Sequence, residues 1–490
     1  MNSMSLKSGR SSCSFLPKND GVKIVFIHYH LRPGGVTTVL RHQIEALKHD
    51  AALLVVSGEP PPANFPCDVV CIPGIGYAGK GDLTQNAGQI ADQILRAVER
   101  HFDGPCDLLH IHNPLLAKNP LLPEILQRLQ RAGLNLFLQV HDFAEDGRPG
   151  VFYKQTAYPQ NCHYGVINLR DYHILTSAGL LTDGLHYLPN CVRPFDDASD
   201  TPTGSYGLYP VRAIRRKNIG EAILLSLFLP GKDALYITQP PNSAVDFPSY
   251  NHWRSYVARC NLPVHFEMGK RRNFQDLVSG AKWVLTTSIA EGFGFAFLEP
   301  WTAGKRLTGR HLPQVCQDFA DHGIHLEHLY QGILIPQTWL GRQRIHDRFH
   351  ACLDANQRAF APLWPDSWMT ACLHQLEQGE TIDFGMLDEG FQTAIIDMVR
   401  QFPARRMALL ERNPFLNTLF SNDKTSDLTA LNRERVLALY PIGRYRAILL
   451  ETYSRILQKP VQQSIDRRVL LAGFLNFRNF SLLKWAPFHA

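Results

Sequence analysis

The chain has 490 residues, 45% of them hydrophobic and 19% charged, and carries a net charge of +6. That length predicts two or three globular domains with ample core. The small charge, with no polybasic run, argues against a nucleic-acid partner. No stretch approaches the roughly 18 apolar residues that span a bilayer, and residues 1–20 lack the apolar segment of a secretory signal. Ten scattered cysteines show no metal-type spacing and fit a reducing, cytoplasmic compartment.

In chain order, residues 1–20 read as disordered. Residues 23–27 form an apolar strand, followed by the Gly34-Gly35 turn and a helix to about residue 49. Strands follow at 52–56, 69–72, 108–111, 136–140, 164–167 and 184–188, with helices at 86–102 and 122–132 between them. Alternating strand and helix predicts a doubly wound parallel sheet. Pro189-Asn190-Cys191-Val192 opens a linker-like stretch that runs to about 205. The pattern then restarts, with strands at 206–213, 234–238 and 264–267 and helices at 218–229 and 274–281. An α/β protein of two Rossmann-like domains facing a cleft is the expected fold, with ligands at the carboxyl ends of the strands. The expected boundaries are 21–195 and 196–432, the second domain carrying an insertion after about 310. Residues 433–457 read as a long helix broken at Tyr440-Pro441. The segment 469–490 is aromatic and basic, with Phe474, Phe477, Phe480, Trp485, Phe488, Arg478 and Lys484 and no acid. It either packs on the body of the protein or lies on a membrane surface.

The stretch Glu291-Gly292-Phe293-Gly294-Phe295-Ala296-Phe297-Leu298-Glu299 stands out. It follows a β-branched strand at 283–288 and leads into a helix expected over 296–304. On that reading the carboxylates lie on the order of 10 Å apart, with a helix N-terminus between them. An anionic group would rest at that N-terminus, and hydroxyl-rich groups at each acid. A nucleotide sugar has this layout.

These residues resemble the Glu-x7-Glu motif of retaining GT-B glycosyltransferases, family 4 above all. Gly34-Gly35 resembles that family's amino-terminal double-glycine loop. Pro189-Asn190-Cys191-Val192 is similar to its Pro-Asn-Gly-Val segment, and Arg212 with Lys217 resembles its basic pair. The likeness covers about residues 21–310, and the 433–457 helix resembles the one that crosses back to the first domain. It implies a retaining, metal-independent transfer from a nucleotide-diphosphate sugar to a hydroxyl acceptor, with no cofactor. Glu299 would then bind ribose, and Glu291 would lie by the donor sugar. Arg212 and Lys217 would meet the diphosphate, and Gly34, Gly35, Gly292, Phe293 and Gly294 would line the donor site. His112, at the end of the 108–111 strand, would face the reacting sugar. This chain departs from the family at Pro300-Trp301, which would reshape the pocket, and in the unassigned segment 311–432.

Residue chemistry adds detail. Arg212 offers a planar fork and Lys217 a compact charge for a leaving diphosphate. A basic start to a helix, as in Arg215-Arg216-Lys217, opposes the helix dipole unless an anion sits nearby. His141, Asp142 and Arg148 follow a strand and suit hydrogen bonding to a polyol acceptor. His28-x-His30 and His110-x-His112 each put two imidazoles on one strand face. They keep open a metal-dependent hydrolase, alongside a disaccharide phosphorylase or synthase and a silent sugar-nucleotide binder. The Gly74-Ile75-Gly76-Tyr77-Ala78-Gly79 segment matches a dinucleotide fingerprint but has no acidic strand end beyond it. An acceptor-side loop is the better reading.

Overall fold

A computed structural model describes residues 21–77, 85–195, 202–421 and 426–490. The expected disorder of residues 1–20, the last two residues of the glycine segment (Ala78 and Gly79) and part of the linker lie outside the described residues.

The first domain is built on seven parallel strands: β1 (Val22–His28), β2 (Ala51–Ser57), β3 (Val69–Cys71), β4 (Leu108–His112), β5 (Asn135–Val140), β6 (His163–Val166) and β7 (Leu185–Tyr187). They run in the order β3-β2-β1-β4-β5-β6-β7. β1 and β4 are buried along almost their whole length. That is what a parallel sheet covered on both faces requires, and it explains their unbroken apolar runs. The second sheet holds β8 (Tyr206–Arg212), β9 (Ala234–Gln239), β10 (Val264–His265), β11 (Val284–Thr286) and β12 (Leu307–Gly309), ordered β10-β9-β8-β11-β12. Strand order reverses between β1 and β4 in one sheet and between β8 and β11 in the other. A crevice opens at such a switch point because the connections leave to opposite sides. Here the two crevices face each other.

Residues 311–421 complete the second domain's core. A short antiparallel pair, β13 (Leu334–Pro336) and β14 (Thr381–Asp383), packs with Tyr330, Phe349 and Phe391 against the face that carries Ile223 and Trp253. Arg310 anchors this addition. Its guanidinium reaches Glu221 at 2.5 and 2.8 Å and Asp383 at 2.6 and 2.9 Å, all within the interior. A buried charge is tolerable only when paired and hydrogen-bonded in this way.

The long helix expected over 433–457 is two helices, Ser426–Leu439 and Ile442–Gln458, parted at Tyr440-Pro441. The second crosses to the first domain, where Tyr445, Leu449, Tyr453 and Ile456 join the core beside Ile24 and Phe26. The carboxyl-terminal segment does not present an aromatic face outward. Phe474, Phe480, Leu482 and Trp485 are buried, and Trp485 stacks on Phe480. Packing consumes the apolar surface that a membrane-surface element would need. Among the described residues, no helix is long and apolar enough to cross a membrane.

Candidate active site

A cleft of about 540 Å³ lies between the two sheets, lined by residues of both domains. Of the residues singled out by sequence, Gly34, Gly35, His141, Asp142, Arg148, Arg212, Lys217, Glu291, Gly292, Phe293, Gly294 and Glu299 line it. His112 does not.

The second-domain wall is ionic. The turn Arg215–Lys217 follows β8 and is tied to the end of β11. Ile289 N–H donates to the Arg216 carbonyl at 3.0 Å, and the Tyr209 and Thr287 hydroxyls donate to the Lys217 carbonyl at 2.7 and 3.0 Å. This fixes the Lys217 ammonium against Glu291, to which it donates a charge-assisted hydrogen bond. Burial pushes the Glu291 carboxyl up, but Lys217 and Arg216 outweigh it and hold it below the usual range. Lys217 is itself pushed down by burial, only partly offset by Glu291. Arg212 reaches across the cleft, its Nη2 donating to the Pro33 carbonyl at 3.4 Å.

The geometry around Glu299 corrects the expectation. Instead of a helix over 296–304 there is a 3-10 turn, Phe295–Phe297, then a single helical turn, Glu299–Thr302. Glu299 therefore opens the α-helix itself, and only the start of the 3-10 turn lies between the two acids. Burial, and then the charge of Glu291, push its carboxyl up to about 7. No described side chain donates a hydrogen bond to it. Gly294 makes the turn possible. It sits at φ +93°, and a Cβ there would stand 2.5 Å from Val315. Trp301 does not reshape the pocket. It is fully buried, with its indole N–H donating to the Phe297 carbonyl at 2.8 Å; Pro300 is the residue that meets the cleft. Phe293 likewise turns its ring inward, against Phe319 and Tyr440.

The first-domain wall is built differently. Its floor is a stack of imidazoles: His110 on His112 at 4.7 Å and His112 on His141 at 5.2 Å between ring centroids. Both nitrogens of His110 are engaged, by the Tyr453 hydroxyl at 2.8 Å and Gln139 at 2.9 Å. His112 Nδ1 and His141 Nε2 share a hydrogen bond of 2.9 Å. Burial holds His110 near 3 and His141 near 4, so the stack is neutral at ordinary pH. His112 thus stands behind His141, which alone of the two borders the cleft. A central parallel strand is covered on both faces, so a place at the end of β4 does not expose its side chain. Among the described residues, no group of three or more His, Cys, Asp or Glu side chains could hold a metal ion.

Beyond β5 the chain turns into the cleft. Asn113, at φ +54°, accepts through its side-chain oxygen from His141 N–H at 2.7 Å and Asp142 N–H at 3.1 Å. Asp142 pairs with Arg148 at 2.7 Å and with Arg216 of the opposite wall at 3.5 Å. Those two cations overcome burial and keep it well below the usual carboxylate range. The loop is braced from behind by the carboxyl-terminal segment, where the largely covered Lys484 pairs with Asp146 at 2.5 Å. Arg215 grips the same segment through the Ala486 and Pro487 carbonyls while pairing with Glu389 at 2.7 Å. Sequence reasoning passes over Lys118 and Asn113, which border the cleft together with Arg216 and Tyr77. Arg216 carried a signal in the basic run before the helix, and Tyr77 in the glycine segment read as an acceptor-side loop.

No family model matches the chain. A mannosylglucosyl-3-phosphoglycerate synthase from Petrotoga mobilis is 27% identical over an alignment of 337 positions that covers 60% of this chain and 66% of that protein. The chain thus spans just under two thirds of that relative's length. Among solved structures, a sucrose-phosphate synthase from Thermosynechococcus elongatus aligns over 89% of this chain and 99% of its own, with a TM-score of 0.52 at 15% identity. The Anabaena protein Alr3699/HepE, in complex with UDP and glucose, aligns over 88% and 99%, with a TM-score of 0.53 at 14% identity. A glycosyltransferase from Rickettsia africae gives 0.51 at 10% identity over 90% and 99%. The fold is GT-B. At these identities the solved structures speak for the fold alone, and the GT-B cleft is the crevice where the two switch points meet.

Proposed function

We propose that the protein is a retaining glycosyltransferase, moving a sugar from a nucleotide-diphosphate donor to a hydroxyl acceptor. The carrying observation is the second-domain wall. Arg212, Lys217 and Glu291 converge at the carboxyl ends of β8 and β11, beside a Glu299 that no described side chain satisfies. In this reading Arg212 and Lys217 meet the diphosphate and Glu299 accepts from the ribose hydroxyls. Ribose donors would return the Glu299 carboxyl towards its ordinary, ionised state. As the reaction runs, the bond between the sugar's anomeric carbon and the phosphate oxygen breaks, and a bond to the acceptor oxygen forms on the same face. The acceptor's proton passes to the leaving phosphate. Lys217 and Arg212 would stabilise the charge that grows there, without a metal ion. Glu291, kept ionised by Lys217, would lie by the donor sugar. His141 would border the acceptor, with His112 fixing its ring.

The Petrotoga relative, named as a synthase of a glycosylated phosphoglycerate, supports a sugar-transfer reading. Thermal shift with UDP-, GDP- and ADP-sugars and the free nucleotides tests it. At least one should stabilise the wild type and fail to stabilise Lys217→Ala. Stabilisation by none of them would sink the reading. The anomeric configuration of the product, read by NMR, tests retention.

A further inference from the structure

Three cations, Lys118 and Arg148 of the first domain and Arg216 of the second, border the cleft near Asp142. Arg148 and Arg216 both pair with Asp142. Lys118, on the loop after β4, makes no ion pair with any described carboxylate, although its half-buried side chain borders the same space. Its ammonium lies over the Tyr77 ring, 5.1 Å from the centroid. The Tyr77 hydroxyl in turn meets His30 Nε2 at 3.2 Å. Burial, and then the neighbouring Arg148, push the Lys118 pKa down. Arg216 has a buried Nε with no acceptor.

The loop that carries Lys118 is built to hold it there. The Asn119 amide donates to the Gly74 and Gly76 carbonyls at 2.7 and 3.0 Å, and the Tyr153 hydroxyl donates to the Asn119 carbonyl at 2.8 Å. The glycines permit this close approach. A Cβ on Gly74 would stand 2.7 Å from Ile90, and one on Gly58 would stand 2.2 Å from Gly76. The Gly74-Ile75-Gly76-Tyr77 stretch thus serves to bring Tyr77 beneath Lys118. Asp142, Asp246 and Glu291 offset the two guanidiniums, whereas the half-buried ammonium fixed over the aromatic ring pairs with no described carboxylate and brings a positive charge to the cleft. Such a charge is costly unless a ligand neutralises it.

We propose that this corner of the cleft is a subsite for an oxyanion on the acceptor, a phosphate or a carboxylate, held by Lys118 and Arg148 of one wall and Arg216 of the other, over Tyr77. The proposal rests on the transferase reading only in calling the ligand an acceptor. The test is calorimetric titration of the full chain, with and without saturating UDP, GDP or ADP. The probes are glycerol, glycerate, glycerol phosphate and inorganic phosphate, run on the wild type, Lys118→Gln and Lys118→Arg. The wild type should bind at least one anionic probe 10-fold or more tighter than glycerol, and the stronger of glycerate and glycerol phosphate tells carboxylate from phosphate. Lys118→Gln should lose that preference with nucleotide affinity unchanged, and Lys118→Arg should recover it. No preference for any anionic probe over glycerol, or an unaltered preference in Lys118→Gln, overturns the subsite. Anion binding that persists while no nucleotide binds would keep the subsite and remove the transferase reading.

Discussion

The two walls of the cleft solve one problem in opposite ways. The second-domain wall is made of ionised groups, Lys217 against Glu291 with Arg212 and Arg216 beside them. The floor of the first-domain wall is made of neutral imidazoles stacked beneath His141, far from their usual titration range. Paired charges borne on loops can exchange partners when a charged ligand arrives. Buried neutral rings, each locked by hydrogen bonds, cannot, and so they fix geometry. The contrast suggests that one wall stabilises charge and the other holds position.

The largest expected effect breaks the ionic wall. Lys217→Ala leaves Glu291 without its main counter-charge and, on the proposed reading, removes a phosphate contact. Turnover should fall about 10²–10³-fold, with nucleotide affinity reduced as well. Unchanged steady-state kinetics would show that the wall carries no charge chemistry.

His112→Ala tests the neutral wall. It removes the hydrogen bond that orients His141, so turnover should fall about 10- to 100-fold through misplacement, with nucleotide affinity unchanged. A drop in nucleotide affinity instead would mean that the two walls are not separable.

Glu299→Gln should weaken nucleotide binding by about 10-fold and alter its pH dependence. The folded carboxyl titrates near 7, above its ordinary value of 4.5. Between those values the folded state holds a proton that the unfolded chain has lost, so stability falls as pH rises towards 7. Bound ribose would favour the ionised form, so nucleotide affinity should rise as pH rises through 7. Thermal melts from pH 5 to 8 should show the wild type losing stability relative to Glu299→Gln. Parallel pH profiles for the two proteins would count against the assignment.

The smallest effect sharpens the comparison. Trp301→Phe loses one buried hydrogen bond, worth about 1 kcal/mol, and should lower the melting temperature without changing kinetics. Altered kinetics would place Trp301 in the site after all.

Much of this was legible in the chain. Apolar runs punctuated by turns specify strands and helices by local rules, and they placed both sheets and the Tyr440-Pro441 break. Glu291 with Glu299, and Arg212 with Lys217, were legible because each pair shares a short span, and a strand followed by a turn sends such residues to the strand's carboxyl end. Period-two alternation correctly put His110 and His112 on one face. It could not tell that the helix Ile442–Gln458 and His141 cover that face.

What the sequence by itself determined is local: strand, turn and helix order, and the reach of residues only a few positions apart. Tertiary structure alone decided which imidazole borders the cleft, that Trp301 turns inward, and that the aromatic tail is core rather than surface. It alone brought Lys484 to Asp146 and Lys118 over Tyr77. These depend on which distant segment covers a given face. Burial and charge pairing between residues tens to hundreds of positions apart leave no periodic trace in the chain.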